Sequence, residues 1–127
     1  MNKKVIFTPN APDPIGPYNQ AILAGNTLYI SGQIAINPLT GSLISGNIEH
    51  ETQQVLDNLT AILKEANFDI RNIVKTSIFI SNMEDFNTIN NIYAKYFNFN
   101  DAPARETVAV KTLPKNVNIE ISAIAVK

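Results

Sequence analysis

Pro103-Ala104-Arg105-Glu106-Thr107-Val108-Ala109-Val110, a turn at Leu113-Pro114-Lys115-Asn116, and the run Val117 to Val126 make up the last quarter of this 127-residue chain. The stretch reads as two adjacent β-strands joined by the turn, with one arginine at the mouth of the first. Pro103 holds its own φ and biases Ala102 toward extended backbone, so Arg105 enters its strand on a stiff lead-in. Side chains alternate along a strand, which puts Thr107, Ala109 and Lys111 on the face of Arg105. The returning strand carries Glu120 between Ile119 and Ile121. Both charges have plain structural readings. An arginine at a strand start is a solvated edge or half of an ion pair, and a glutamate between isoleucines is the outward residue of a half-buried strand. Register decides whether they meet: a two-residue loop at Lys115-Asn116 puts them on one face, and a three-residue loop puts them on opposite faces.

Composition narrows the classes. At 45% hydrophobic and 17% charged residues, the chain is expected to be soluble and globular, and its length suits one domain over 1–127. A net charge of -1 leaves no electrostatic footprint for nucleic acid or an anionic membrane surface. The chain has no cysteine, which excludes disulfides, thiolate catalysis and cysteine metal sites. His50 is the lone histidine, so one chain holds no multi-histidine metal site. No segment approaches the ~20 apolar residues that span a bilayer, and the N-terminus lacks a signal-peptide apolar region. A cytoplasmic location is expected.

Lys4 to Thr8 reads as a short edge strand. Pro9 to Pro17 follows, with four prolines and a glycine in nine residues. Such a segment is neither helix nor central strand, yet its prolines lower the entropy lost in holding one path, and it delivers Tyr18 to a defined place. It is a surface loop with an aromatic staple or the wall of a pocket. A hairpin over Gln20 to Ala35 turns at Gly25-Asn26, a pair suited to positive φ. Gly32 inside its second strand marks a bulge or tight packing, ahead of ligand contact. Asn37 to Gly41 is a further turn.

Asn47 is a candidate N-cap for a helix to about Asn67, with Val55, Leu59, Ile62, Leu63 and Ala66 as one apolar stripe. His50 and Glu51, in its first turn, read as solvated. Ile73 to Ile80 is a strand with Val74, Ile78 and Ile80 on one face and Ile73 and Phe79 on the other. Ser81-Asn82-Met83-Glu84 fits a capping box before a second helix carrying Phe86, Ile89, Tyr93, Tyr96 and Phe97 at helical spacing. Asn90 lies one position past that stripe, facing solvent or reaching the sheet edge. The order β-β-β-α-β-α-β-β predicts an α+β fold: a mixed, largely antiparallel sheet with both helices on one face. Two helices cannot cover a second apolar face, so a closed homo-oligomer with sites between subunits is expected.

Four motifs then resemble the Rid (reactive intermediate deaminase, YjgF-type) family across essentially the whole chain: Pro14-Ile15-Gly16-Pro17-Tyr18, Tyr29-Ile30-Ser31-Gly32-Gln33, Pro103-Ala104-Arg105, and Ile119 to Ala125. The resemblance implies a chorismate-mutase-like fold, a homotrimer with three inter-subunit clefts, and no metal or organic cofactor. It implies hydrolysis of 2-imino or enamine acids, such as 2-iminopropanoate and 2-iminobutanoate, to 2-oxo acids and ammonia. By position, Arg105 would hold the substrate carboxylate and Glu120 would position or activate water. Tyr18, Ser31, the Gly32 backbone, Asn90 and Thr107 would line the cleft. Many members carry a cysteine where this chain has Thr107, which changes pocket polarity and removes any thiol-dependent regulation.

Two other classes are weighed against the deaminase. A non-catalytic protein sensing small 2-oxo acids would use Arg105 equally well, but it needs no water-directing Glu120. RNA cleavage or translation inhibition, reported for some relatives, is opposed by the mild acidity, the single histidine and the lack of a basic stripe.

Overall fold

The computed structural model describes residues 2–127. Six strands form one sheet: β1 (Lys3–Ile6), β2 (Ala21–Ala24), β3 (Thr27–Gln33), β4 (Ile73–Ile80), β5 (Ala104–Ala109) and β6 (Ile119–Val126). They lie side by side in the order β1-β2-β3-β6-β4-β5. Every neighbouring pair is antiparallel except β4 and β5, which run parallel. Helices α1 (Ile48–Glu65) and α2 (Phe86–Tyr93) complete the α+β fold.

The early hairpin forms as its residues dictate. Gly25 takes φ 62° at the turn, a value open to glycine at no steric cost. The order places β1, the expected edge strand, at the sheet margin. Asn47 caps α1, its side-chain oxygen accepting from the backbone N–H groups of Glu49 and His50. Ala66 caps the C-terminus of the helix, and Asn67 steps out at φ 62°, one of the few non-glycine residues that tolerates the left-handed region. Val55, Leu59, Ile62 and Leu63 pack with Ile78, Ile80, Ile119 and Ile121 into the main core between helices and sheet.

Four sequence expectations differ from the structure. First, β5 and β6 are not adjacent: β4 lies between them, pairing with each. The stretch from Val110 to Asn118 is thus a crossover past β4 rather than a hairpin loop. It carries consecutive positive φ values at Lys115 (56°) and Asn116 (57°). Second, the pairing register shifts between Ile73 and Lys75, so Ile73 joins Ile78 and Ile80 in the core while Val74 is exposed. A strict period of two had put Ile73 with Phe79. Third, the cap after β4 is Asn82, whose side chain accepts from Glu84 N in a 3-10 turn over Met83–Asp85. Ser81 instead donates to Asn118 Oδ1 at 2.8 Å. Helix α2 is also shorter than its aromatic stripe suggested, ending at Tyr93.

The sheet face away from the helices is uncovered in one chain. Tyr29, Val108 and Val126 are exposed there, on strand positions that alternate with the core residues, together with half-buried Ile22 and Ile124. A smaller cluster of Ile34, Leu113 and Val117, with Phe79 packed against it, forms under the β5–β6 crossover on this side.

Candidate active site

Arg105 stands opposite Thr76 in the β4–β5 pairing, and Thr76 is buried toward the helices, its hydroxyl 2.8 Å from the Tyr93 hydroxyl. The arginine therefore leaves the sheet on the helix side, at the open edge strand. Its guanidinium lies over the Tyr93 ring at 4.9 Å and the Phe86 ring at 5.8 Å from the centroids. Aromatic faces hold a cation without neutralising it. Among the described residues no carboxylate forms an ion pair with Arg105; the ion pairs are Arg71–Asp69 and Lys75–Glu106. Burial raises the Tyr93 phenol above its ordinary range, keeping it neutral beneath the guanidinium. In front of Arg105 opens a cleft of about 310 Å³ lined by Asn90, Tyr93, Phe97, Phe99 and Pro103. Asn90 and Arg105 bring the polar groups to an otherwise apolar wall.

Glu120 occupies the other face. It pairs with Phe79, one position out of phase with the buried Ile78 and Ile80, so its carboxylate points away from the helices. The pairing of β3 with β6 slips between Ile30 and Gln33, leaving Ser31 and Gly32 together opposite Ser122. This bulge is where Gly32 is needed. A Cβ at residue 32 would sit 2.7 Å from Glu120 Cδ and 2.8 Å from Oε2, closer than such atoms approach. The expected bulge is present, and the close approach is to Glu120 itself. Burial raises the Glu120 carboxyl above its ordinary range. A cleft of about 330 Å³ around it is lined by Ile15, Tyr18, Ser31, Gly32, Ile34 and Pro114.

Within that second cleft the polar side chains have defined roles. The Ser31 hydroxyl donates to the Asn19 carbonyl at 2.6 Å, leaving its lone pairs for any ligand. The Tyr18 hydroxyl accepts from Ile15 N at 3.2 Å, which leaves its proton available to donate. Thr107 stands opposite Ile78, on the Arg105 side. Its hydroxyl is buried with no hydrogen-bond partner, and Thr107 is not among the residues lining the arginine cleft.

One chain thus gathers Arg105 and Asn90 on the helix side, and Tyr18, Ser31, Gly32 and Glu120 on the open side. The two strands bearing Arg105 and Glu120 are separated by β4, which spaces them by about 10 Å in the sheet. Register in a hairpin could not have decided their faces, because no hairpin joins them. The sequence reading also missed the aromatic platform. Phe86 and Tyr93 sit seven residues apart, on one helix face, and were read only as an apolar stripe. Ile15 lies in the proline segment that offered a pocket wall, whereas Ile34 and Pro114, which also wall the glutamate cleft, gave no signal beyond a strand and a turn.

The model of the endoribonuclease L-PSP family matches residues 8–127. A RutC family protein of Pyrococcus horikoshii is 51% identical over 125 residues, 98% of each chain. A human protein named 2-iminobutanoate/2-iminopropanoate deaminase is 47% identical over 125 residues, covering 98% of this chain and 90% of that one. The crystal structure of a Rid-family protein of unknown function from Yersinia pestis superposes with a TM-score of 0.96 at 50% identity, covering 99% of this chain and 100% of that one. The chain belongs to the endoribonuclease L-PSP family, the Rid family that its motifs resemble.

Proposed function

We propose that the protein is a hydrolytic deaminase of small 2-imino and enamine acids, 2-iminopropanoate and 2-iminobutanoate among them, releasing 2-oxo acids and ammonia in clefts shared between three copies of the chain. The observation that carries this reading is the separation of the two charges. Arg105 is a cation at a sheet edge with no ion-pair partner among the described residues, while Glu120 is a carboxylate of raised pKa on the opposite face. A three- or four-carbon substrate cannot touch both within one chain. A neighbouring copy packed with its open face along the β5 edge would bring its own Glu120, Tyr18 and Ser31 to this Arg105. The name of the human relative supports the substrate class.

The chemistry needs few groups. A guanidinium fork binds the substrate carboxylate through two parallel N–H donors. Water attacks C2 of the protonated imine, and the C=N π pair moves onto nitrogen as the C–O bond forms. Glu120 takes the proton that the water loses and returns it to the amine of the carbinolamine. The C–N bond then breaks with its pair going to nitrogen, ammonia leaves, and the ionised Glu120 takes the C2 hydroxyl proton as the carbonyl forms and passes it to the departing ammonia. A carboxyl raised by burial above its ordinary range is a better proton-transfer partner for both halves of that exchange than a solvated one, because its proton is held more firmly between the two transfers. Orientation by Arg105 contributes by holding C2 against the water.

The test uses a serine or threonine dehydratase to release the imino acid while its decay and the appearance of ammonia are followed. The protein should accelerate both. Decay at the uncatalysed rate at micromolar protein would remove the reading. The family's description favours one further reading, RNA cleavage, but the exposed lone His50 and the net charge of -1 give it neither a base pair of groups nor a phosphate-binding stripe. Cleavage of an RNA oligonucleotide that is lost in Arg105→Ala would favour it instead.

A further inference from the structure

The proline segment that carries Ile15 and Tyr18 cannot hold itself in place. Pro9, Pro12, Pro14 and Pro17 have no backbone N–H, so the segment has few donors with which to pair. Its buried carbonyl groups must find donors elsewhere.

One side chain supplies them. Gln20, 1% exposed, accepts from Thr8 N through Oε1 at 2.7 Å. Its Nε2 donates toward the carbonyl oxygens of Thr8 (3.0 Å), Ala11 (3.2 Å) and Pro12 (2.9 Å). The same residue ties the segment to the bulge, since the Gln20 carbonyl accepts from Ser31 N at 3.0 Å and the preceding carbonyl, of Asn19, takes the Ser31 hydroxyl. The amide thus stands at the crossing between the loop bearing Tyr18 and the strand bearing Ser31 and Gly32. It does not itself line the cleft around Glu120.

We propose that Gln20 is a positioning residue for the glutamate half of the cleft, fixing the Thr8–Pro12 path so that Ile15 and Tyr18 wall the substrate; the proposal rests on the deaminase reading above. Because Gln20 acts on the wall and not on Arg105 or Glu120, its loss should weaken substrate binding and leave the chemical step nearly intact.

Gln20→Met keeps the length and apolar bulk of the side chain but donates nothing, and Gln20→Glu keeps the Oε1 acceptor while losing the amide donors. In either variant KM for the imino acid should rise about ten-fold or more, with kcat within about three-fold, as expected when binding common to ground and transition states is removed. Hydrogen exchange in the same preparations should quicken at residues 8–18 and at Ser31 while the core strands stay protected. A merely structural role predicts the reverse split, a lower kcat from a smaller folded fraction with KM unchanged, and that result overturns the proposal. Failure of both variants to fold would make Gln20 a determinant of the whole fold and overturn it too. If the wild-type protein leaves the imino acids untouched, the deaminase reading falls. The exchange data then decide alone: local loosening supports the positioning role, and unchanged protection refutes it.

Discussion

Arg105 rests on two aromatic faces and meets no carboxylate among the described residues of its own chain, an arrangement that leaves its fork free for a ligand. Arg105→Ala should therefore cost about 1.5–3 kcal/mol of charge-assisted contact, a loss of imine turnover of about ten-fold to about 160-fold. The melting temperature should stay close to that of the wild type, and Arg105→Lys should keep part of the activity because a point charge cannot reproduce the fork. Unchanged turnover in a well-folded Arg105→Ala protein would take the residue out of the site. Glu120 titrates differently from a solvated glutamate. Its burial raises the pKa above 4.5, and it must be ionised to accept a proton from water. The rate should thus fall on the acid side with a midpoint above the ordinary carboxylate range, and this limb should be absent from the residual activity of Glu120→Gln. An acid midpoint at or below 4.5 would separate Glu120 from water activation. At residue 107 the lining role is not supported by the shape of the arginine cleft, whose wall stops short of the orphaned Thr107 hydroxyl.

At the scale of elements, the start of α1 and the entry to β6 are joined by a carboxylate that the sequence placed in solvent. Glu51 is 2% exposed. Its oxygens accept from Asn118 Nδ2 at 3.0 Å and from Asn118 N at 3.4 Å, while Asn118 Oδ1 accepts from Ser81. Helix α1, the end of β4 and the start of β6 converge on this one asparagine. Removing the buried acceptor leaves the partly buried Asn118 donors unpaired, so Glu51→Ala should destabilise the fold by about 1–3 kcal/mol in urea unfolding. A truly solvated helix start would lose no more than about 0.5 kcal/mol. Position in the first helical turn suggested solvation because acidic residues there commonly complement the helix dipole. What overrode it was a loop arriving from 67 residues away, which no helical periodicity records.

For the whole molecule, the open sheet face sets the expectation. Tyr29, Val108 and Val126 are exposed beside Phe79 and Ile124, and an apolar surface of this kind is stable in water when another subunit covers it. Sedimentation equilibrium should give three times the 14.0 kDa chain mass, and Ile124→Glu should dissociate the assembly and abolish imine turnover together. A stable monomer at micromolar concentration would leave Arg105 and Glu120 permanently apart and sink the shared-cleft reading.

The elements themselves were legible in the sequence, because each rests on contacts within a few residues. Periodicity marked α1, the Gly25-Asn26 turn marked the first hairpin, and Asn47 marked a cap. The need for glycine at position 32 was visible as an oddity in a strand, though not its cause. What the tertiary structure alone decided was which strands are neighbours. Strand β4, which precedes both in the chain, inserts between β5 and β6 because its parallel pairing with β5 and antiparallel pairing with β6 bury Thr76, Ile78 and Ile80 under the helices. That insertion sends Arg105 and Glu120 to opposite faces. It also turns a pair of charges that looked like one site into two halves, since non-local pairing carries no local trace in the chain.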